Sequence, residues 1–125
     1  MQGAGVDYRY LDIERATDFI GDAQGVTDML KVLCATLKTD LPALQGLLHA
    51  HDVLAIQKSL HSLKGFLPIF STQALADQLN SLERLAKAPE TPVFPSQCAA
   101  LLDAIAVLSQ EAQNYLAQQA ASPGT

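Results

Sequence analysis

Apolar residues recur every three or four positions along most of this chain, the period of an amphipathic α-helix. The clearest run is Val53, Ile56, Leu60, Leu63, Leu67 and Phe70, a continuous stripe that predicts one buried helical face. A longer run precedes it. Val26, Leu30, Leu33, Leu37, Leu41, Leu44 and Leu48 predict a helix from Ala23 or Thr27 to Leu48. Pro42 lies inside that helix, where it removes a backbone donor and crowds the carbonyl four residues back. The helix is therefore expected to bend or divide near Lys38 to Leu41, with Gly46 a second weak point. Shorter stripes at Ile13, Ala16, Ile20 and at Leu75, Leu79, Leu82, Ala86 predict two more helices. Asp12 is suited to cap the first, and Ser71 or Thr72 the second. A last stripe, Leu102, Ile105, Leu108 or Ser109, Ala112 and Leu116, predicts a helix starting at Pro95-Ser96, since proline is tolerated in a first turn. The fold class is all-α.

The connections read as clearly as the helices. Gly21-Asp22 ends the first helix and opens the second, and His49 to Asp52 links the second to the third, with Asp52 as N-cap. The third helix should reach Leu67. There Pro68 can give no hydrogen bond to the Lys64 carbonyl, so the helix kinks or stops early. Ala88 to Pro95 contains three prolines and reads as a loop. Residues 1–10 read as a lead-in or linker, residues 11–119 as one domain, and residues 120–125 as a frayed tail. At 125 residues the domain can bury a single core without staples. Cys34 and Cys98 lie on apolar faces with no paired spacing, so buried thiols are expected rather than a disulfide or metal site. His49 and His51 lack a third ligand at sensible spacing and are given no metal role. No stretch has the apolar length of a membrane span and no signal-peptide pattern opens the chain, so a cytoplasmic location and no membrane contact are expected.

Against this apolar pattern His61 stands out. Its helical neighbours are Gln57, Lys58, Lys64 and Gly65, which puts the imidazole on the wet face, opposite the leucine stripe. An unperturbed imidazole titrates near about pH 6.5 and is a competent nucleophile at neutral pH. Two ammonium groups beside it would hold an anion placed on the ring. Gly65 is poor for a helix but leaves clearance above the ring. An ordinary surface histidine among surface lysines would look the same in composition, so the wider pattern carries the weight.

That pattern is His61-Ser62-Leu63-Lys64-Gly65 followed by Phe70, Leu75, Leu82 and Glu83. It resembles the signature of histidine-containing phosphotransfer (HPt) domains, and the resemblance runs from about Leu11 to Leu116. It implies an antiparallel four-helix bundle, here with a short additional N-terminal helix. It also implies a phosphocarrier in a two-component phosphorelay, with His61 accepting phosphoryl on Nε2 and exchanging it with the aspartate of a response-regulator receiver domain. Glu83, twenty-two positions on, would bond the other ring nitrogen; on spacing alone it could equally pair with Lys87. Lys64 would neutralise phosphoryl oxygens, while Gln57, Lys58, Gly65 and Pro68 would form the docking rim. The chain departs from the family pattern at Phe66-Leu67-Pro68-Ile69-Phe70-Ser71, where small residues and a glycine are usual. That bulk is expected to narrow the docking surface. As an exposed apolar cluster it would also suit an alternative, a helical docking module that binds a partner without carrying phosphate.

Charge and missing motifs bound the partners. The net charge of −5 argues against nucleic acid. Residues 1–52 carry four Lys/Arg against eight Asp/Glu, and residues 89–125 only three acids, whereas residues 53–88 carry four Lys/Arg against two acids. Only the segment around His61 is positive, which would steer an acidic partner surface to it. No Gly-x-x-x-x-Gly-Lys loop is present, so the chain is read as a non-ATP-binding phosphocarrier without a cofactor of its own. Mg²⁺ is expected on the partner receiver, and a sensor histidine kinase is the other expected partner. The chain would be free-standing or part of a hybrid kinase, and monomeric.

Overall fold

The computed structural model describes residues 8–87 and 94–121. Residues 1–7 of the expected lead-in, residues 88–93 of the expected proline loop and residues 122–125 of the expected tail lie outside the described residues. Among the described residues six helices follow in order: α1 (Ile13–Ile20), α2 (Ala23–His49), α3 (Val53–Lys64), α4 (Leu67–Phe70), α5 (Gln73–Leu85) and α6 (Phe94–Ala121). The fold is all-α.

Local chemistry sets the helix ends. Asp12, Asp22, Asp52 and Thr72 each accept a backbone N–H from their helix's first turn, at Arg15, Gly25, Ala55 and Leu75. These side chains satisfy donors that have no partner inside the helix. Gly21 closes α1 with φ of 107°, a left-handed conformation that glycine adopts without a Cβ penalty, and its N–H reaches the Thr17 carbonyl. His51 takes φ of 57° in the turn between α2 and α3. There the Asp52 N–H reaches back to the Leu47 carbonyl, so this histidine serves the turn.

Helices α2, α3, α5 and α6 contact one another in a ring, α2 with α3, α3 with α5, α5 with α6 and α6 with α2. Helix α1 packs on α2 and α4, and α4 bridges α1, α3 and α5. The ring encloses one core, in which Leu30, Leu33, Leu37, Ile56, Leu60, Leu63, Leu75, Leu79, Leu101, Ile105 and Leu108 are essentially without exposure. Such burial is the main favourable term, about 1.5–3 kcal/mol per large aliphatic side chain. Leu41, Leu48, Val53 and Leu116, expected on buried stripes, are only half-buried. Leu41 and Pro42 line a shallow groove with Lys38 and Gln113, so there the stripe runs off the core edge. Pro42 does not divide α2, which continues to His49. Helix α6 begins at Phe94, one residue before the expected Pro95, because Phe94 is itself buried in the core.

Helix α3 stops at Lys64 and does not reach Leu67. The Gly65 and Phe66 amides turn back to Ser62 and Leu63 in tighter three-residue bonds, which satisfy carbonyls the helix would otherwise leave open. Phe66 then leaves helical geometry at φ −136°, and Pro68 enters the first turn of α4, where its missing N–H costs nothing.

Tyr8 to Asp12 form a strap across the bundle. The Glu111 carboxylate on α6 accepts the N–H groups of Arg9, of Tyr10 at 2.9 Å and of Leu11 at 3.0 Å. The Asp12 N–H bonds the Phe70 carbonyl and the Thr72 N–H bonds the Tyr10 carbonyl, at 2.8 and 2.9 Å. The last three residues of the expected lead-in are thereby docked, with Tyr8 edge-on to Tyr115.

Candidate functional site

His61 occupies the last turn of α3, between Leu60 and Leu63, which are both buried. Those leucines fix the rotation of the helix, and the imidazole is left 76% exposed. Helix α5 packs against α3 and brings Glu83 beside the ring. Leu79 and Leu82 anchor α5 in the core, so Glu83, next to Leu82, is carried to the seam between the helices with its side chain only 7% exposed.

One carboxylate therefore meets two donors. Glu83 Oε2 lies 2.7 Å from His61 Nδ1, and Lys64 Nζ donates to Glu83 Oε1 at 2.9 Å. The Lys64 hydrogen bond first, and the His61 hydrogen bond second, hold the Glu83 carboxyl below the usual glutamate range, against the opposing effect of burial. Glu83 is thus ionised near neutral pH, and an ionised carboxylate can only accept. Nδ1 must then carry the ring proton of the neutral imidazole, which leaves the lone pair on Nε2. Among the described residues Glu83 makes no ion pair with Lys87, the other partner its spacing allows.

Of the expected site residues, His61, Lys64, Glu83, Gln57 and Lys58 are brought together, and Lys64 takes a position other than the expected one. Lys64 lies against Glu83 and is 44% exposed, instead of standing free beside the ring. Gln57 and Lys58 line a shallow groove of about 600 Å³ with His61, Lys64 and Glu83. Gly65 and Pro68 do not line it. Gly65 has an ordinary right-handed helical φ of −72°, and a Cβ there would meet the Ser62 carbonyl oxygen at 3.2 Å. The bulk of Phe66-Leu67-Pro68 does not project over the site. Leu67 is fully buried, and Phe66 and Pro68 are half-buried, because the break after Lys64 turns this run toward the core. The expected exposed apolar cluster is absent at these three residues.

Two groove residues escaped the sequence reading, Leu54 and Lys87. Leu54 is off the apolar stripe, seven residues before His61 and so on its face. Lys87 lies four past Glu83. Elsewhere, His49 ends α2, and among the described residues no group of three His, Cys, Asp or Glu could hold a metal ion. Cys98 is buried and Cys34 half-buried, both free, with their thiol pKa values pushed up by burial. Among the described residues no helix is long and apolar enough to cross a membrane.

The family model for the Hpt domain matches residues 28–118, a span that includes His61, Lys64 and Glu83. Comparison with curated proteins and with solved structures returned no match.

Proposed function

We infer function from the family: the chain belongs to the Hpt domain family, the histidine phosphotransfer modules of phosphorelays. Within it, His61 is the residue that carries the phosphoryl group, and the reading rests on the Glu83 carboxylate at 2.7 Å from Nδ1. That contact leaves Nε2 as the basic nitrogen of an exposed ring. The donor is the aspartyl phosphate of a response-regulator receiver domain. The Nε2 lone pair attacks phosphorus, the N–P bond forms, the aspartyl O–P bond breaks, and the aspartate leaves as carboxylate. Nδ1 keeps its proton, so the ring gains a positive charge as Nε2 is phosphorylated. Glu83 is placed to stabilise that charge, which favours transfer wherever it develops in the transition state.

Delivery to a second receiver is the reverse step, breaking the N–P bond and forming an aspartyl O–P bond. Mg²⁺ bound by the receiver would supply positive charge to the phosphoryl oxygens; this chain contributes His61 as a positioned nucleophile. A sensor histidine kinase stands upstream in such a relay. The docking-only alternative drew on an exposed Phe66-Leu67-Pro68 surface, and with Leu67 buried that support is gone.

The test is direct. Phosphoramidate, a small donor that needs no docking partner, should label the wild-type chain with acid-labile, base-stable phosphate, and a phosphorylated receiver should do so faster. Neither should label His61→Gln. Equal labelling of that variant removes His61 from the reaction.

A further inference from the structure

The groove beside His61 has a wall that the phosphoryl chemistry does not need. Leu54 is 64% exposed and lies two turns before His61, about 10 Å along the axis at the helical rise. Lys58 stands between them on α3, and Lys87 reaches the same groove from just beyond α5. The charge of Lys64 is already matched by Glu83, whereas Lys58 and Lys87 make no ion pair among the described residues. A large apolar side chain left in water, flanked by two unmatched ammonium groups, has the composition of an interface centre with a charged rim.

We propose that Leu54, Lys58 and Lys87 form the ledge by which this chain selects its receiver domain. The receiver that fits presents an apolar side chain to Leu54 between carboxylates that meet Lys58 and Lys87. The proposal rests on the phosphotransfer reading of His61 and names the partner surface that reading requires. Charge complementarity carries it: residues 53–88 hold four Lys/Arg against two acids in a chain whose net charge is −5, and two of those cations, Lys58 and Lys87, make no ion pair among the described residues and line this groove. Set about 10 Å of helix axis before His61, Leu54 stands apart from the transferring group. It therefore acts on encounter and residence, and changes in it belong in KM more than in kcat.

The experiment takes each receiver domain encoded in the source genome, phosphorylates it with acetyl phosphate and Mg²⁺, and measures transfer to the wild type, Leu54→Ala, Lys87→Glu and Lys87→Arg. Circular dichroism melts establish that each variant is folded. For the preferred receiver, Leu54→Ala and Lys87→Glu should raise KM by about fivefold or more with kcat within about twofold, and Lys87→Arg should stay close to wild type. Wild-type KM in both variants overturns the ledge and leaves His61 as acceptor. A fall in kcat at constant KM also overturns it, since the wall would then act on chemistry. If phosphoramidate labels His61 but no receiver transfers to it, receiver selection by the ledge is refuted. If phosphoramidate fails to label the wild type, the phosphotransfer reading itself falls.

Discussion

Glu83 sets the state of its two neighbours, because a nearly buried carboxylate keeps its charge only while both oxygens are satisfied. In Glu83→Gln the amide oxygen can still accept from Nδ1, so the ring tautomer should persist in imidazole ¹⁵N spectra. The negative charge that stabilises the phosphorylated ring is lost, and transfer should slow by about tenfold, the equivalent of about 1.4 kcal/mol. Unchanged transfer would show that the charge has no part in the reaction. The same variant tests linkage. The folded-state pKa of Glu83 is depressed, so its stabilisation is present above the ordinary glutamate value near about 4.3 and is lost as pH falls through the lower folded value. The stability gap between wild type and Glu83→Gln should be flat above about pH 5 and close on acidification; a gap that widens there contradicts the assignment. Lys64→Ala leaves the carboxylate with His61 alone. Lys64 is 44% exposed, so water screens much of the pair and the stability cost should be only about 1 kcal/mol in denaturant titration.

At the level of elements, the strap over residues 8–12 depends on one side chain. Glu111 accepts three successive backbone amides, and the strap in turn is bonded to Phe70 and Thr72 at the junction of α4 and α5. Glu111→Ala should cost about 1–3 kcal/mol, since partly buried donors lose their acceptor, and hydrogen exchange should accelerate at Arg9, Tyr10 and Leu11 before it does in α6. Uniform exchange across the molecule would show that the strap contributes nothing local. This contact was not legible in the sequence: an acid on a long helix looks like any solvated charge, and its partners lie about a hundred positions away. The aspartate caps and the stripes of α3 and α5 were legible because their causes lie within one or two turns. The break between α3 and α4 was only half visible. Leu60, Leu63, Leu67 and Phe70 keep helical spacing straight through it, and Pro68 marked the neighbourhood but not the stopping residue. In the site, the offset from His61 to Glu83 could be read from the chain. The commitment of Lys64 to Glu83, and the meeting of Leu54 and Lys87 in one groove, depend on how α3 and α5 are packed; the chain itself shows only that Leu54 shares the face of His61 and that Lys87 lies one turn past Glu83.

For the whole molecule the decisive quantity is where the charge lies. A net charge of −5 would repel an acidic partner if it were spread evenly, yet residues 53–88 carry Lys58, Lys64, Arg84 and Lys87 against Asp77 and Glu83. Partner encounter should therefore be steered over distances comparable to the Debye length, which shrinks from about 10 Å at 0.1 M to about 3 Å at 1 M ionic strength. The hydrogen bonds of the His61–Glu83–Lys64 cluster are short contacts around a nearly buried carboxylate and are screened far less. Raising salt over that range should thus slow transfer from a phosphorylated receiver at subsaturating concentration by about tenfold or more, while the rate with phosphoramidate changes far less. Equal salt dependence for the two donors would place the electrostatic effect in the chemical step instead of the encounter, and the basic segment would then have no steering role.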